Sequence, residues 1–486
     1  MCAPRFFHGR LPLHSAPCSG TIKRYMGGEA RYVDRPVWEM LEDNRKRLSF
    51  HMPGHKGAIF TGPEKFDITE ITGADELYAA DGIIRRSEQN ASALFGSADT
   101  LYSTEGSSQC ICAMLFLALL EWRRTHRTAS VRPAVIAARN VHKAFVRAAA
   151  LLDFDPIWLS PEDEVYSLTR CRVGCGQLER LLCETGERAA AVFITSPDYL
   201  GTLADIRALS ESAHKYGVML LVDNAHGAYL RFLPESLHSL DLGADMCCDS
   251  AHKTLPVLTG GAYLHISEIA PESLAENARY AMGMFGSTSP SYLILRSLDA
   301  ANAYIDNAYS ERLRRFIERT DELKRSLSAA EWVVCVSDPL RITLYTPPRG
   351  TDGLSLLAYL EENGVFCEYA SPEHLVMMLT PENTEEELEK IKSLLISYEK
   401  RPPQIPPSFT LPEAERVMSV RDAALAPSET IPSADAAGRV LASPCVSCPP
   451  AVSCAVSGER LSAGHIRILK HYGIKTVRVV CTADET

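Results

Sequence analysis

The stretch Val218-Met-Leu-Leu-Leu-Val-Asp-Asn-Ala-His-Gly227 decides the fold class. Its uninterrupted apolar run is typical of a central strand covered on both faces, and hence of a parallel sheet. Asp223 ends the run, and burying a carboxylate there is costly unless it meets a cation or hydrogen-bond donors. A protonated pyridine nitrogen would be such a cation. A helix N-cap and a metal ligand are the alternatives for this aspartate.

Similar short apolar runs lie on both sides of this stretch. Residues 134–138, 190–195, 218–222, 246–248 and 262–266 are predicted strands, each bounded by polar or turn residues. Helical patterns separate them, for example residues 205–216, which Gly217 closes. The alternation of strand and helix predicts an α/β domain with a mostly parallel sheet.

The sequence is predicted to contain four regions, and the alternation of short apolar strands and helices stops after residue 297. Residues 1–31 are a predicted disordered extension, with Met26 as a candidate start, and residues 32–297 form the large domain. Residues 298–400 are a smaller α+β domain with a charged helix (298–327), strands (332–336, 341–345, 375–379) and a closing helix (385–398). Residues 401–486 begin with the proline-rich linker Arg401-Pro-Pro-Gln-Ile-Pro-Pro407 and form a third, C-terminal α+β unit.

Composition excludes several classes of protein. An apolar content of 46% is ordinary for a globular chain, and a net charge of −11 argues against nucleic acid and anionic membranes as partners. No run reaches the ~18–20 apolar residues of a membrane span. The 15 cysteines lie largely in apolar runs, which indicates buried thiols in a reducing, cytoplasmic compartment. Cys445, Cys448 and Cys454 lack the second close pair of a zinc site, so no metal is predicted.

Three further motifs stand at strand ends or helix starts, where open α/β sheets bind ligands. Lys253, in Ser250-Ala-His-Lys-Thr254, is either a cofactor anchor or a solvated surface lysine. Thr104-Glu-Gly-Ser-Ser108 is either a phosphate cradle at a helix start or an ordinary N-cap. His142, in Arg139-Asn-Val-His-Lys143, either lies over an aromatic cofactor or is a polar loop residue. Together with Asp223 they supply every part of a pyridoxal-phosphate site.

A wider set of motifs carries a family resemblance. They are Phe50-His-Met-Pro-Gly-His-Lys-Gly57, Asp67-Ile-Thr-Glu70, Leu94-Phe-Gly-Ser-Ala-Asp99, Gly106-Ser-Ser108, Arg139-Asn-Val-His-Lys143, Asp223-Asn-Ala-His226, Ser250-Ala-His-Lys253, Ser287-Thr-Ser-Pro-Ser-Tyr292, Pro449-Pro450 and Ser457-Gly-Glu459. Over residues 32–480 the chain resembles the Orn/Lys/Arg decarboxylase family of fold-type-I pyridoxal-phosphate enzymes, in its short bacterial form without an N-terminal receiver-like domain. The implied large domain has the aspartate-aminotransferase-like fold.

The resemblance implies a role for each matching residue. Lys253 would carry the cofactor as a Schiff base, His252 would assist proton transfer, and Asp223 would pair with the pyridine nitrogen. His142 would stack on the ring, and Glu368 would lie near the distal end of the substrate, with the acidic loop 67–75 as a further candidate. The remaining implied cofactor ligands are Ser107, Ser108, His226 and Ser250, with Ser287 or Thr288 reaching the phosphate of a neighbouring subunit.

The implied activity is decarboxylation of arginine, lysine or ornithine by a homodimer or higher homo-oligomer with active sites at the subunit interface, in polyamine biosynthesis. The sequence does not choose among the three amino acids. Another fold-type-I activity, such as an aminotransferase or a lyase, is the alternative on the same cofactor. A catalytically silent regulatory homologue is the non-enzyme alternative, but such a protein would be expected to lose Lys253 or Asp223, and both are present.

Overall fold

A seven-stranded sheet forms the centre of the molecule. The computed structural model describes residues 33–126, 131–162, 171–335, 337–413, 415–443 and 452–481. The strands of the large sheet are β1 (Asp99–Ser103), β2 (Ala134–Ala138), β3 (Asp155–Leu159), β4 (Ala189–Thr195), β5 (Met219–Asp223), β6 (Met246–Asp249) and β7 (Ala262–Ile266).

The strand order of this sheet is β1-β7-β6-β5-β4-β2-β3. β7 runs antiparallel to both of its neighbours, whereas the pairs from β6 to β3 are all parallel. The predicted mostly parallel sheet is therefore confirmed, and all five predicted strands are present. Two strands, β1 and β3, were not predicted.

Helices cover both faces of the large sheet. One face packs against a core that includes Ile111, Phe145 and Leu274, and the opposite face against a core that includes Leu178 and Leu209. The α-helices between residues 33 and 306 are α1 (Pro36–Asn44), α2 (Ile83–Phe95), α3 (Ser107–Thr125), α4 (Lys143–Leu152), α5 (Cys175–Thr185), α6 (Ile206–Lys215), α7 (Ala251–Thr254), α8 (Glu272–Gly283) and α9 (Tyr292–Asp306).

The next region has its own antiparallel sheet, of order β10-β11-β9-β8. Its elements are α10 (Tyr309–Ala329), β8 (Val333–Val334), β9 (Arg341–Tyr345), α11 (Gly353–Glu362), β10 (Tyr369–Ala370), β11 (His374–Met378) and α12 (Glu385–Ser397). The predicted single helix over 298–327 is wrong. Two helices, α9 and α10, meet at Ala308, whose φ of +57° interrupts the helical path.

The C-terminal region contains two small antiparallel strand pairs, β12 with β14 and β13 with β15. Its elements are β12 (Glu415–Arg416), α13 (Val420–Leu425), β13 (Ser428–Pro432), β14 (Glu459–Arg460), α14 (Ala463–His471) and β15 (Thr476–Val480). The predicted extension 1–31, Met26, Cys445 and Cys448 lie outside the described residues. The domain boundaries stay predictions. Within the described ranges, no helix is long and apolar enough to span a membrane.

Candidate active site

A cavity of about 310 Å³ opens beyond the carboxyl ends of the parallel strands. This is the edge at which open α/β sheets bind ligands. Its walls come from the segments that follow β2, β4, β5 and β6, from the start of α3, and from one residue of the small sheet region. The lining residues are Ser107, Asn140, His142, Lys143, Thr195, Pro197, Tyr199, Asp223, Ala225, His226, Lys253 and Glu368.

Lys253 lies on the short helix α7, directly after β6, and points its amine into this cavity. Its Nζ is 3.1 Å from Nε2 of His226. Burial lowers the pKa of Lys253, while the carboxylates of Asp223 and Glu368 act in the opposite direction. The net lowering increases the fraction of unprotonated amine, which is the nucleophilic form.

The orientation of His226 is set by a residue of the small sheet. Arg341 Nη2 lies 2.8 Å from Nδ1 of His226, and the guanidinium can only donate. Burial lowers the pKa of His226 well below its ordinary value, so the ring is neutral and carries its proton on Nε2. That N–H then faces the lone pair of the Lys253 amine, an arrangement that requires the lysine to be unprotonated.

Asp223 ends β5 inside the cavity and is 3% exposed. Its Oδ1 accepts a hydrogen bond from Ala225 N–H at 3.2 Å. Burial raises the pKa of this carboxyl, and the charge of Lys253 opposes the rise. A cationic N–H brought into the cavity would relieve the cost of the buried carboxylate.

A buried polar network supports the turn that follows Asp223. Asn224 Nδ2 donates to Asp249 at 2.6 Å, and Asp249 also contacts His238 Nε2 at 3.0 Å and His265 Nε2 at 3.3 Å. All three members of the histidine–aspartate cluster are 0% exposed. The network joins the ends of β5 and β6, and so it fixes Asp223 relative to Lys253.

One end of the cavity is built to receive an anion. Ser250 Oγ donates to Ser107 Oγ at 2.9 Å, which joins the end of β6 to the first residue of α3. Gly106 precedes α3 with φ of +70°, a conformation that favours glycine, and the helix presents free N–H groups at this end. Ser108 is half-buried in the same first turn but is not among the lining residues of the cavity.

His142 and Asn140 lie on the loop that follows β2. His142 is the N-cap of α4, and its Nδ1 accepts a hydrogen bond from Ala144 N–H at 3.2 Å. Burial, and then the charge of Lys253, lower the pKa of His142 to about 4. The ring is therefore neutral at ordinary pH, which suits a group that stacks on a cofactor.

Two polar atoms of the lining residues are left for a ligand. Asn140 Oδ1 and Thr195 Oγ1 are buried and have no hydrogen-bond partner within the described part of the chain. Buried polar groups are normally satisfied, so unpartnered atoms at a cavity mark a place where a ligand supplies the partner. The mouth carries Glu368, whose Oε1 accepts a hydrogen bond from Tyr199 OH at 2.9 Å.

Several predicted site residues lie elsewhere. His252 is turned away, with its Nδ1 donating to Gly261 O at 3.0 Å, and it does not line the cavity. Ser287 and Thr288 are exposed on the loop between α8 and α9 and are not among the lining residues of their own chain.

The acidic loop 67–75 has a structural use in this chain. The carboxylate of Asp75 accepts from backbone N–H groups at the start of α2, at 2.9 Å from both Gly82 and Ile84. Asp67 faces His55 at 3.2 Å. The described contacts therefore give no support to this loop as a substrate receptor.

Sequence reasoning missed four residues of the site: Asn140, Thr195, Tyr199 and Arg341. Asn140 and Tyr199 lie in loops whose direction follows from packing, and Thr195 is the last residue of β4. Arg341 is 115 positions from its partner His226, at the start of β9. The only signal in the sequence is a charged residue, Arg341, at the start of a strand whose five residues are mostly apolar or aromatic.

The residues present fit pyridoxal phosphate. The cavity holds a lysine with a lowered pKa, a buried carboxyl in need of a cation, a neutral histidine, and hydroxyls at a helix start. The unpartnered Asn140 and Thr195 atoms add hydrogen-bonding positions for a polar ring substituent or a substrate. This set matches the groups that position the cofactor's reactive atoms and tune its ring.

Comparisons with known proteins identify the family to which the chain is similar. The family model described as "Orn/Lys/Arg decarboxylase, major domain" matches residues 36–344. A Bacillus subtilis (strain 168) protein named uncharacterized protein YaaO is 30% identical over 469 residues, covering 90% of this chain and 94% of the relative. The arginine decarboxylase of the same organism is 26% identical over 453 residues, covering 87% and 90% of the two chains.

The fold has a close counterpart among solved structures. The Francisella novicida lysine decarboxylase LdcF superposes with a TM-score of 0.75 at 16% identity, covering 92% of this chain and 81% of the other. At this identity the likeness concerns the fold alone. It confirms the predicted fold-type-I architecture of the large domain.

Proposed function

Because the chain belongs to the Orn/Lys/Arg decarboxylase family, we propose that the cavity around Lys253 removes the carboxyl group of a basic amino acid, with arginine as the first substrate to test. Family membership also confirms the predicted enzyme class, an amino-acid decarboxylase, and the predicted cofactor, pyridoxal phosphate. Arginine is preferred because a relative that matches nearly the whole chain is named arginine decarboxylase. The amine product would be a polyamine precursor.

The contact between Lys253 Nζ and His226 Nε2 carries the proposal. Arg341 holds His226 in the tautomer that donates to the lysine, and burial lowers the pKa of Lys253. The lowered pKa raises the share of Lys253 in the neutral form, which is the form that would bond to the carbonyl carbon of the cofactor. With substrate bound, the amine of Lys253 would be placed to hold a proton and deliver it to the substrate Cα.

When bound, pyridoxal phosphate supplies an electron sink for the pair of electrons left on Cα as CO₂ departs. Asp223 would hold a proton on the pyridine nitrogen, because a buried carboxylate gains most from a cationic partner. His142, neutral and half-buried, would cover one ring face without adding charge. Ser107 and Ser250, which are hydrogen-bonded to each other, would hold the phosphate at the start of α3, with Ser108 in the same first turn. The predicted role of His252 in proton transfer is not supported by a contact with the cavity, because its Nδ1 donates to Gly261 O.

Recognition of a basic side chain is assigned to Glu368. The carboxylate lines the same cavity as Lys253, and its negative charge raises the pKa of that lysine. Glu368 is therefore close enough to interact with a substrate bound at Lys253. Tyr199 orients it through the 2.9 Å hydrogen bond. A guanidinium or ammonium group entering between them would form a charge-assisted hydrogen bond.

We expect the working form to be a homodimer or larger homo-oligomer. The loop before α2 exposes a run of large apolar side chains, which on a soluble protein marks an interaction surface. Their exposed fractions are Leu48 89%, Phe50 93%, Met52 68%, Ile59 68% and Phe60 78%. Ser287 and Thr288, exposed on their own chain, would then reach a neighbour's phosphate. Light scattering after gel filtration would test the oligomeric state, and a monomer would contradict it.

A substrate panel tests the proposal. Purified protein with added pyridoxal phosphate is incubated with arginine, lysine or ornithine, and both CO₂ and amine are measured. Equal amounts of CO₂ and amine from arginine, abolished in Lys253→Ala but kept in the matched exposed-lysine variant Lys215→Ala, would support it. Turnover of lysine or ornithine alone would contradict the choice of arginine, and keto acid without CO₂ would contradict decarboxylation.

A further inference from the structure

Within the described residues, the buried side chain of Arg139 joins the loop after β2 to the C-terminal region. Arg139, 3% exposed, directly follows β2. Its Nε donates to Ser453 O at 3.0 Å and its Nη2 to Cys454 O at 3.1 Å. Nη1 and Nη2 donate to the two carboxylate oxygens of Glu459 at 2.9 and 2.6 Å. All of these acceptors belong to residues 453–459.

Glu459 is held as firmly as its partner. Its side chain is 4% exposed, and Oε2 also accepts from Val456 N–H at 2.9 Å. Gly458, with φ of +89°, makes the turn that brings the carboxylate back towards Arg139. On the other side of the guanidinium, the ring of Trp158 lies 5.2 Å from Arg139 Cζ. The pair is therefore a fork-shaped, two-point contact in a fixed orientation.

The loop fixed by this contact enters the cavity at once. Asn140 is the next residue, and His142 follows two positions later as the N-cap of α4. Both side chains line the cavity, and Asn140 Oδ1 is one of its unpartnered atoms. Movement of Arg139 would therefore shift both residues relative to Lys253.

We propose that Glu459, through Arg139, is a positioning residue of the active site: the C-terminal region holds the loop 139–142 in its cofactor-binding conformation. The inference rests on the proposed cofactor site, because it assigns a use to the place that Asn140 and His142 occupy there. It adds a role for the C-terminal region in cofactor binding.

A structural role and a positioning role predict different behaviour in one double variant. Removing one partner of a buried ion pair destabilises the fold, because a charge is left buried alone. Replacing both partners with apolar residues of similar size is often neutral for stability. The variant Arg139→Met/Glu459→Met therefore leaves no charge buried alone, although the Ser453 and Cys454 carbonyls lose their donor, and it removes the two-point anchor of the loop.

The test measures cofactor binding and loop opening instead of turnover. Pyridoxal phosphate is titrated into apoprotein and followed by quenching of tryptophan fluorescence, and hydrogen exchange is read from peptides covering residues 134–146. We expect Glu459→Gln and the double variant to raise the cofactor Kd at least tenfold. We also expect amides 141–146 to exchange faster, while urea unfolding shows that both variants are still folded in the absence of urea.

A second inter-region ion pair provides the control. Arg416 Nη2 donates to Asp155 at 2.6 Å, at the amino end of β3 and so at the opposite edge of the sheet. Arg416→Met should change the cofactor Kd by less than twofold. The proposal is overturned if the double variant binds pyridoxal phosphate as tightly as the wild type. If the wild type binds the cofactor but releases no CO₂ from any basic amino acid, the proposed function fails and this inference stands.

Discussion

Replacement of His142 by asparagine should make the free energy of unfolding fall less as the pH is lowered from 7 to 5. In the folded protein the pKa of His142 falls from 6.5 to about 4, chiefly because the ring is buried. Between these values the unfolded chain binds a proton that the folded chain does not, so stability falls as the pH falls from 6.5 towards 4. From pH 7 to pH 5 this one group should cost about 2 kcal/mol.

Asparagine suits the test because it is a favourable N-cap and can still accept from Ala144 N–H. Urea unfolding of apoprotein, at one protein concentration, gives the free energy of unfolding at pH 7 and pH 5 for wild type and His142→Asn. The wild type should lose about 2 kcal/mol more than the variant over this interval. His126→Asn, at the far end of α3, is the control and should follow the wild type. Equal losses in wild type and His142→Asn would refute the reasoning.

Three further substitutions test other parts of the site. Arg341→Met removes the donor to His226 and to the backbone carbonyls of Asp198 and Tyr199. The variant should lower the free energy of unfolding by about 3 kcal/mol, measured by urea unfolding, and slow cofactor uptake, measured by absorbance. Asp223→Asn should lower kcat by roughly 10²-fold or more at saturating cofactor, in a CO₂ release assay, and an unchanged kcat would contradict its role. Tyr199→Phe frees Glu368 from its hydrogen bond and should raise KM about fivefold with kcat unchanged; a fall in kcat alone would argue against substrate binding there.

Strands with uniform apolar sequence could be predicted, but those with polar residues could not. All five residues of β1 (Asp99–Ser103) are buried although three are polar. Their hydrogen-bond partners lie in other elements of the chain: Thr100 Oγ1 contacts His265 Nδ1 at 2.8 Å, and Asp99 contacts Arg85 at 2.6 Å. β3 contains Pro156, which argues against a central strand and is tolerated because β3 is an edge.

The site could be predicted where its residues stand directly at strand or helix ends. Asp223, Lys253, His142 and Ser107 all line the cavity as predicted, because the end of a strand fixes where the next residues point. His252 shows the limit of that reasoning, since the short helix α7 turns neighbouring side chains in different directions. The Arg341–His226 contact required the packing of two separate sheets, which no local pattern encodes.

The attachment point of the cofactor tests the central claim most directly. Two lysines, Lys253 and Lys143, line the cavity. Holoprotein reduced with borohydride and digested should carry the cofactor on the peptide with Lys253, and the peptide with Lys143 should be unmodified. Cofactor found on Lys143 or another lysine, with Lys253 unmodified, would contradict the account.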